Sequence, residues 1–310
     1  MNLNFIEAHV PKQSLSGSAQ TRKPHKKTWH YENVWWGGVT VALVVISLMP
    51  IAEMAIVSLE PMSQIESGRL IPKTLEWRNY LRAFQTVRLF AFTWHSLVVA
   101  GSSMLLVLCI ALMMGFVLSR FHFRFRSTMA AAILVTQMIP AVALLLPIYV
   151  LYSNLQTFTN LHIIGSFPAL ILMEMAIASP LAVWLLISGL STIPVELDEA
   201  AFIDGATKLG VLIRILVPMA LPTLAAAAIF SFLSAWNDIL FASVLTDHAT
   251  RTLAIGLQEY VSAGGSGSSG LVLWNQLMGA ALMSSIPVVV FFLIAQRFLV
   301  SGLTAGALSK

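Results

Sequence analysis

The sequence predicts an all-α membrane protein with six transmembrane helices. Of its 310 residues, 57% are hydrophobic and only 10% are charged, and the mean hydropathy is +0.82. A soluble domain carries about 25% charged residues, so this chain has too little polar surface for an ordinary water-soluble enzyme. The apolar residues gather in six runs, each as long as the roughly 20 helical residues that cross a bilayer. The short alternating segments typical of transmembrane β-barrels are not visible.

The six apolar runs set the domain organisation. Their approximate limits are residues 34–59, 89–118, 129–152, 165–190, 216–246 and 271–298. Gly and Pro inside these runs do not argue against helix, because packed membrane helices tolerate both. We therefore predict a polar N-terminal tail over 1–33, a six-span domain over 34–300 and a C-terminal tail over 301–310. The N-terminal tail does not belong to a cleavable signal peptide, because the first apolar run is too long for one.

The distribution of basic residues predicts that both termini lie in the cytoplasm. With this orientation, 12 of the 18 Lys and Arg residues fall in cytoplasmic segments and 6 fall outside, as the positive-inside rule requires. Membrane topology thus explains the formal charge of +4, and no nucleic-acid-binding face is indicated. The single cysteine, Cys109, lies inside an apolar run and excludes an intrachain disulfide.

The segment between the fourth and fifth runs, residues 191–218, differs from a plain connector. Its pattern predicts a short helix on the cytoplasmic side. Acidic residues fall where the first turn is expected, and they stabilise the positive end of a helix; they are Glu196, Asp198 and Glu199. Gly205 then offers a stop or a sharp turn.

The same segment resembles the EAA loop of ABC importer membrane subunits, which reads Glu-Ala-Ala, three residues, Gly, nine residues, Ile-x-Leu-Pro. The matching residues are Glu199, Ala200, Ala201, Gly205, Ile215 and Pro218, with Val217 at the Leu position. Further runs are similar to the carbohydrate-importer branch, and they are Asp204-Gly205-Ala206, Trp236-Asn237-Asp238 and the C-terminal stretch from Gly302 to Ala307. From about residue 34 to its end, the chain therefore resembles the MalG-type permease subunits of maltose-class transporters.

This resemblance implies the type I ABC importer permease fold in a bacterial or archaeal cell membrane. In such importers the EAA loop docks in a cleft of a cytoplasmic ATPase, so Glu199 is expected to pair with a basic residue there. Ala200 and Ala201 would permit close approach, and Gly205 would allow the turn; Asp204 belongs to the same coupling segment. A generic loop of this composition would instead form an interfacial helix lying on the membrane.

The implied partners are a second, MalF-type permease, two ABC ATPase subunits and an extracytoplasmic sugar-binding protein. ATP and Mg would bind the ATPase subunits, and no cofactor is expected on this chain. The stretch from Gly264 to Gly270, before the last span, is either a loop that reaches toward the binding protein or an inert connector.

Polar residues within the spans are candidates for the substrate pathway, because charged groups at membrane depth usually face a cavity or a partner. The candidates are Gln137, Glu174, Ser231, Ser234, Asn237 and Asp238. On a continuous fifth helix Ser231, Ser234 and Asp238 fall at i, i+3 and i+7 and form one stripe, whose oxygen atoms suit sugar hydroxyls. The alternative for the acidic residues is an interhelical polar clamp, and the sequence leaves both roles open.

Sequence motifs for catalysis are absent. The chain contains no Walker A sequence, no HExxH, no GxSxG and no cluster of Cys and His, so no ATP site, catalytic site or metal site is expected. The predicted function is a permease subunit that forms half of the pathway of an ATP-driven, binding-protein-dependent importer of a carbohydrate or polyol. The competing hypotheses are an ion-coupled secondary transporter, which usually shows internal repeats and broken helices, and a membrane-embedded enzyme.

Overall fold

All regular structure in the described residues is helical, which confirms the predicted class. The computed structural model describes residues 29–65, 73–86, 88–262 and 273–307, with the side chains of 29–34, 85–86 and 300–307 left aside. The helices are α1 (Trp29–Leu59), α2 (Met62–Ile65), α3 (Arg78–Thr86), α4 (Leu89–Arg120), α5 (Arg126–Val135), α6 (Ala141–Thr159), α7 (Phe167–Ser191), α8 (Glu196–Ile203), α9 (Lys208–Val211), α10 (Val217–Met219), α11 (Leu221–Trp236), α12 (Leu240–Leu245), α13 (Leu253–Ser262) and α14 (Trp274–Ala307).

The chain divides into two units at residue 50, inside α1. The first unit includes α1 as far as Pro50, and the second contains all the other helices. Residues 1–28 and the stretch from Gly264 to Gly270 lie outside the described residues. The predictions made for the N-terminal tail and for the glycine-rich stretch therefore stay predictions.

Five helices in the described part of the chain are long and apolar enough to cross a membrane. They are Trp35–Leu59, Leu89–Arg120, Ala141–Thr159, Phe167–Ser191 and Trp274–Leu299. A sixth span results if Lys208–Met219 and α11 are counted together, although an 80° bend separates them. The predicted number of six therefore depends on counting this bent pair as one span.

The third predicted span is not one continuous helix. The run over 129–152 is divided between α5 and α6, with a single 3₁₀ turn at Thr136–Met138 between them. Ile139 then adopts an extended conformation, with φ −78° and ψ 121°. The cause is Pro140, which has no N–H to donate and disfavours helical geometry in the residue before it.

The fifth predicted span, over 216–246, also differs from a continuous helix. The chain bends at Ala220, α11 ends at Trp236, and a separate helix α12 follows. The Asp238 side chain accepts hydrogen bonds from the backbone N–H groups of Phe241 (3.3 Å) and Ala242 (2.8 Å). Asp and Asn compete in this way for backbone groups and favour helix ends over helix interiors, which explains the break after Trp236.

The core of the second unit lies between α4, α7 and α11. Small residues bring these helices close together, as in many membrane bundles. A Cβ atom on Gly115 would lie 2.8 Å from Cβ of Leu186, and one on Gly189 would lie 2.3 Å from Oγ1 of Thr223. Both distances are shorter than a normal contact, so these glycines set the spacing of α7 from α4 and from α11.

A polar turn after α12 joins that helix to the start of α7. The Thr250 hydroxyl donates to the carbonyl of Gly165 (2.9 Å), and the Gly165 N–H donates to the carbonyl of Leu245 (2.9 Å). Hydrogen bonds from Ala249 N–H and from the hydroxyl and amide of Thr250 hold the pKa of Asp247 below its ordinary value. The ionised form of Asp247 is therefore the form that fits this turn.

Candidate docking site in the loop between helices α7 and α11

The predicted loop helix is present as α8, and its end has a specific backbone motif. Gly205 lies in the left-handed region with φ +84°. Its N–H donates to the carbonyl of Phe202 (3.0 Å), and the N–H of Ala206 donates to the carbonyl of Ala201 (2.9 Å). This pair of bonds is the Schellman arrangement, which uses a glycine because a positive φ carries no penalty there. The predicted turn at Gly205 is confirmed.

The chain after this turn returns to the bundle through α9. The Thr207 hydroxyl accepts a hydrogen bond from the Gly210 N–H (3.1 Å) and so caps the short helix. A π-helical turn over Leu212–Leu216 then leads into α10. Short helical segments therefore follow one another through the loop, with few non-helical residues between them.

One side of the loop is buried against the bundle. Its buried side chains form a single apolar cluster with the end of α7, and they are Leu190, Ile193, Ala201, Val211, Leu212, Leu216 and Ala220. Ile215 is half-buried against the same cluster. Of the residues that carry the family resemblance, Ala201 and Ile215 thus have a structural role in fixing the loop.

The opposite side of the loop is exposed. Glu199, Ala200, Asp204 and Pro218 are all exposed. Large apolar side chains accompany them, and Ile203 is 87% exposed. The other exposed apolar residues of the loop are Val195, Leu197, Phe202, Leu209 and Ile213. A grouped apolar surface next to an exposed carboxylate is typical of a protein interaction site.

A buried ion pair holds α8 against the end of α4. Nε of Arg120 lies 2.7 Å from Oδ2 of Asp198, and each side chain is only 7% exposed. The Arg120 Nη2 group also donates to the carbonyl of Ile193 (3.0 Å). Sequence reasoning used Arg120 only to assign topology, because no local pattern links it to a residue 78 positions later.

A small pocket of about 210 Å³ opens beside this ion pair. Its wall combines two acidic, two basic and three aromatic side chains with Val195, and these are Phe116, Arg120, Phe121, Asp198, Glu199, Phe202 and Lys208. The Lys208 ammonium lies 4.9 Å from the centre of the Phe121 ring, a favourable cation–π distance. The pocket is therefore balanced in charge and lies between α8, α9 and the end of α4.

The predicted polar stripe on the fifth span does not exist as a single stripe. Ser231 is 1% exposed and donates to the carbonyl of Ala227 (2.8 Å) within its own helix. Asn237 is exposed and donates to the carbonyl of Leu233 (2.9 Å), whereas Ser234 is half-buried. Asp238 follows the end of α11, so the prediction that it lies on the same continuous helix as Ser231 and Ser234 is wrong.

Glu174 and Asp238 are brought together by the packing of α12 against α7. Glu174 is 2% exposed, and its carboxyl group lies within reach of the Asp238 carboxyl group. Asp238 is at the same time bonded to two amide groups of α12. The Asp238 carboxylate therefore caps the first turn of α12, and the choice between the substrate pathway and an interhelical clamp stays a prediction for both acidic residues.

Gln137 lies elsewhere, at the break between α5 and α6. Its Nε2 group donates to the carbonyl of Ile177 on α7 (3.1 Å). Together with Thr136 it lines a pocket of about 480 Å³ between α6 and α7, whose other lining residues include Pro140, Met173 and Pro180. The wall of this pocket contains none of the other pathway candidates, so the six candidates do not form one site.

Metal ligands do not gather anywhere in the part of the chain that the structure describes. No group of three or more His, Cys, Asp or Glu residues there has the geometry to hold a metal ion.

Comparison with known proteins agrees with this architecture. Residues 107–304 match the family described as binding-protein-dependent transport system inner membrane component. The trehalose/maltose transport system permease protein MalG of Thermococcus litoralis is 30% identical over 271 residues, which cover 86% of this chain and 94% of that protein. The sulfoquinovosyl glycerol transport system permease protein SmoH of Agrobacterium fabrum is 32% identical over 231 residues, covering 74% of this chain and 77% of that protein.

A solved structure has the same fold. It is a bacterial ABC transporter involved in the import of the acidic polysaccharide alginate, with a TM-score of 0.72 at 17% identity, and the match covers 86% of this chain and 96% of that chain. The family match includes the whole loop from α7 to α11 and most of the α4, α7 and α11 core. Because both the sequence match and the fold extend over most of the molecule, the chain belongs to the binding-protein-dependent transport system inner membrane component family.

Proposed function

We propose that this chain is a permease subunit of an ATP-driven importer that takes up a carbohydrate or a related polyol. As a member of its family, the chain is an inner membrane component of a transport system and not an enzyme. Relatives named for trehalose and maltose, and for sulfoquinovosyl glycerol, support a carbohydrate substrate. The broken third span is a feature that secondary transporters also show, but a family that depends on a binding protein favours the importer.

The complex that we propose contains three kinds of protein partner. A second, MalF-type permease completes the pathway, two ABC ATPase subunits bind ATP and Mg, and an extracytoplasmic sugar-binding protein delivers the substrate. Both termini of the chain are cytoplasmic in this arrangement, which places the loop between α7 and α11 on the ATPase side. This chain itself holds no cofactor in the proposal.

The exposed face of α8 carries the proposal. Glu199 and Ala200 are exposed there beside Phe202 and Ile203, while Ala201 fixes the helix to the bundle. A cleft on the ATPase that received this face would bury the apolar side chains and shield Glu199 from water. The buried cluster under the helix gives it a firm support, so that movement of the cleft moves the loop as a unit.

The substrate pathway is proposed along the pocket between α6 and α7. Gln137 and Thr136 supply amide and hydroxyl groups to an otherwise mainly apolar wall, which is the usual composition of a small-molecule site. Ser231 and Asp238 are assigned structural roles, because Ser231 is 1% exposed and the Asp238 carboxylate accepts hydrogen bonds from two amide groups of α12. A Gln137→Ala variant should raise the apparent KM for the sugar while the complex assembles normally.

The test of the docking proposal is a charge reversal at Glu199. An exposed ion pair contributes only about 0.2–1 kcal/mol, but removing one partner of a pair shielded in an interface costs about 2–5 kcal/mol. Glu199→Lys should therefore reduce recovery of the co-expressed ATPase far more than Glu199→Gln does. The matched control is Glu196→Lys, which reverses an exposed charge in the same helix.

Two results would contradict the proposal. Normal assembly and transport by Glu199→Lys at physiological salt would remove Glu199 from the contact and leave docking to the apolar residues. Uptake driven by a proton or sodium gradient, by this chain alone in liposomes, would refute the ATP-driven importer itself.

A further inference from the structure

Arg120 and Asp198 form a buried ion pair between two segments of the bundle that no short connection joins. Arg120 is the last residue of α4, and Asp198 lies in the first turn of α8. Both side chains are almost completely buried, and Nε of Arg120 lies 2.7 Å from Oδ2 of Asp198. Buried charges without a partner are strongly unfavourable, so each of these groups depends on the other.

Arg120 and Asp198 also lie at helix ends whose dipoles favour their charges. Arg120 lies at the negative C-terminal end of its own helix, and its Nη2 group also donates to the carbonyl of Ile193, just after the end of α7. Asp198 lies at the positive N-terminal end of α8. The C-terminal ends of α4 and α7 therefore favour the positive charge of Arg120, and the N-terminal end of α8 favours the negative charge of Asp198. Of the other basic residues near the pair, Arg126 donates to the carbonyls of Leu118 and Ser119, and Lys208 lies over the Phe121 ring.

The chain itself does not connect α8 to α4. α8 is joined to α7 by the short segment 192–195 and to α11 through α9 and α10. A loop displaced by the ATPase would therefore pull directly on α7 and α11, and α4 would follow only through side-chain packing. The ion pair adds a direct connection to α4, at the end of the helix that lies nearest to α8.

We propose that Arg120 is a positioning residue that fixes the docking helix α8 to α4, so that a displacement of the loop moves α4, α7 and α11 together. This inference rests on the proposed docking function. Without the pair, the loop still binds the ATPase through its exposed face, but α4 no longer follows it fully. ATP is then hydrolysed with less sugar transported for each ATP.

The experiment measures sugar transported per ATP hydrolysed, in proteoliposomes that contain the full complex and its binding protein. The variants are Arg120→Ala, Asp198→Asn and the charge exchange Arg120→Asp with Asp198→Arg. The control is Arg124→Ala, which removes an exposed positive charge four residues away. We expect Arg120→Ala and Asp198→Asn to lower the ratio about fivefold or more, as for a coupling interaction of ordinary strength, while Arg124→Ala keeps the wild-type ratio.

Assembly and coupling are read separately, so that the two proposals fail in different ways. If the wild-type chain does not recover the ATPase, the docking function is wrong. If the wild type assembles and both single variants transport with the wild-type ratio, only the role of Arg120 is refuted. Combining Arg120→Ala with Asp198→Asn should be no worse than either change alone, since both remove the same interaction; additive losses would contradict the pairing.

A folding failure of Arg120→Ala does not block the test. In that case the charge exchange decides, together with Asp198→Asn. An exchange variant that assembles and regains part of the transport ratio supports the proposal. An exchange variant that fails to assemble, while Asp198→Asn assembles and keeps the wild-type ratio, overturns it.

Discussion

Replacing Gly205 by valine should damage the docking loop through backbone strain alone. Gly205 has φ +84°, and a Cβ atom built on it would meet nothing within 4 Å. No steric clash with a neighbour is therefore expected. A residue with a side chain in the left-handed region costs about 1–2 kcal/mol, and a β-branched residue is an outlier there. A penalty of this size lowers the equilibrium constant for the native turn by a factor of about 5–30.

Loss of the turn would release the two hydrogen bonds that end α8. These bonds join Gly205 N–H to Phe202 and Ala206 N–H to Ala201, and Ala201 is the residue that anchors α8 to the buried cluster. The assay is binding-protein-stimulated ATP hydrolysis and sugar transport by the reconstituted complex, with complex yield measured on the same preparation. Gly205→Val should lower transport, by no more than about 30-fold.

The control substitution is Gly205→Asn, because asparagine tolerates the left-handed conformation better than other residues with side chains. It should recover most of the wild-type transport. Wild-type activity in Gly205→Val would refute the reasoning, since the strain would then have no effect on the loop. Equal damage by Asn and Val would also refute it, because the positive φ would not be the cause.

Three further predictions concern the bundle. Gly189→Ala should destabilise the purified chain by about 1–3 kcal/mol through overpacking against Thr223, whereas Gly101→Ala, where a Cβ meets nothing within 4 Å, should stabilise its helix by about 0.5–1 kcal/mol. Asp238→Ala should cost about 0.5–2 kcal/mol by removing a helix cap, and Asp238→Asn should cost much less. Asp247→Asn should lower the Tm at neutral pH, and its difference from wild type should shrink below about pH 4.

The sign of the Asp247 effect follows from the direction of its pKa shift. A carboxyl group with a lowered pKa in the folded state stabilises that state fully above its unfolded pKa, which is about 3.9. The contribution is lost as the pH falls through the folded value, since the proton then binds both states. A difference in Tm that grew on acidification would contradict the hydrogen bonds assigned to this carboxylate.

Results that contradict the other two predictions are equally specific. Equal stability of the Gly189 and Gly101 variants would show that contact with Thr223 does not set the spacing of α7 and α11. A large loss of sugar affinity in Asp238→Asn, with unchanged Tm, would return Asp238 to the substrate pathway.

The docking loop could be predicted from the sequence because its structure is local. Acidic residues in a first turn and a glycine at the end act over a few positions, and the structure has both features around α8. The exposed position of Glu199 follows from the same short helix. Its contact with an ATPase remains a proposal that rests on the family.

The parts that sequence reasoning missed depend on distant residues or on competing local preferences. The pairing of Arg120 with Asp198 joins α4 to α8, and no periodic pattern encodes such a contact. Hydropathy shows that residues 129–152 are apolar, but it does not show that Pro140 interrupts the helix. Proline alone does not predict a break, because Pro147 is tolerated inside α6. The predicted placement of Asp238 on the fifth helix is wrong, because that prediction requires a helix that continues beyond Trp236, where α11 ends.

The 80° bend before α11 also determines how far a movement of the loop is carried. When two rigid helical segments meet near a right angle, a push on one segment rotates the other sideways about the bend. The segment from Lys208 to Met219 is about 18 Å long and α11 is about 24 Å long, at 1.5 Å per residue. If the segments on both sides of the bend moved as rigid units about Ala220, a swing of about 3 Å at Lys208 would become about 4 Å at Trp236. In such a movement the far end of α11, next to Asp238 and α12, would travel farther than the loop segment that drives it.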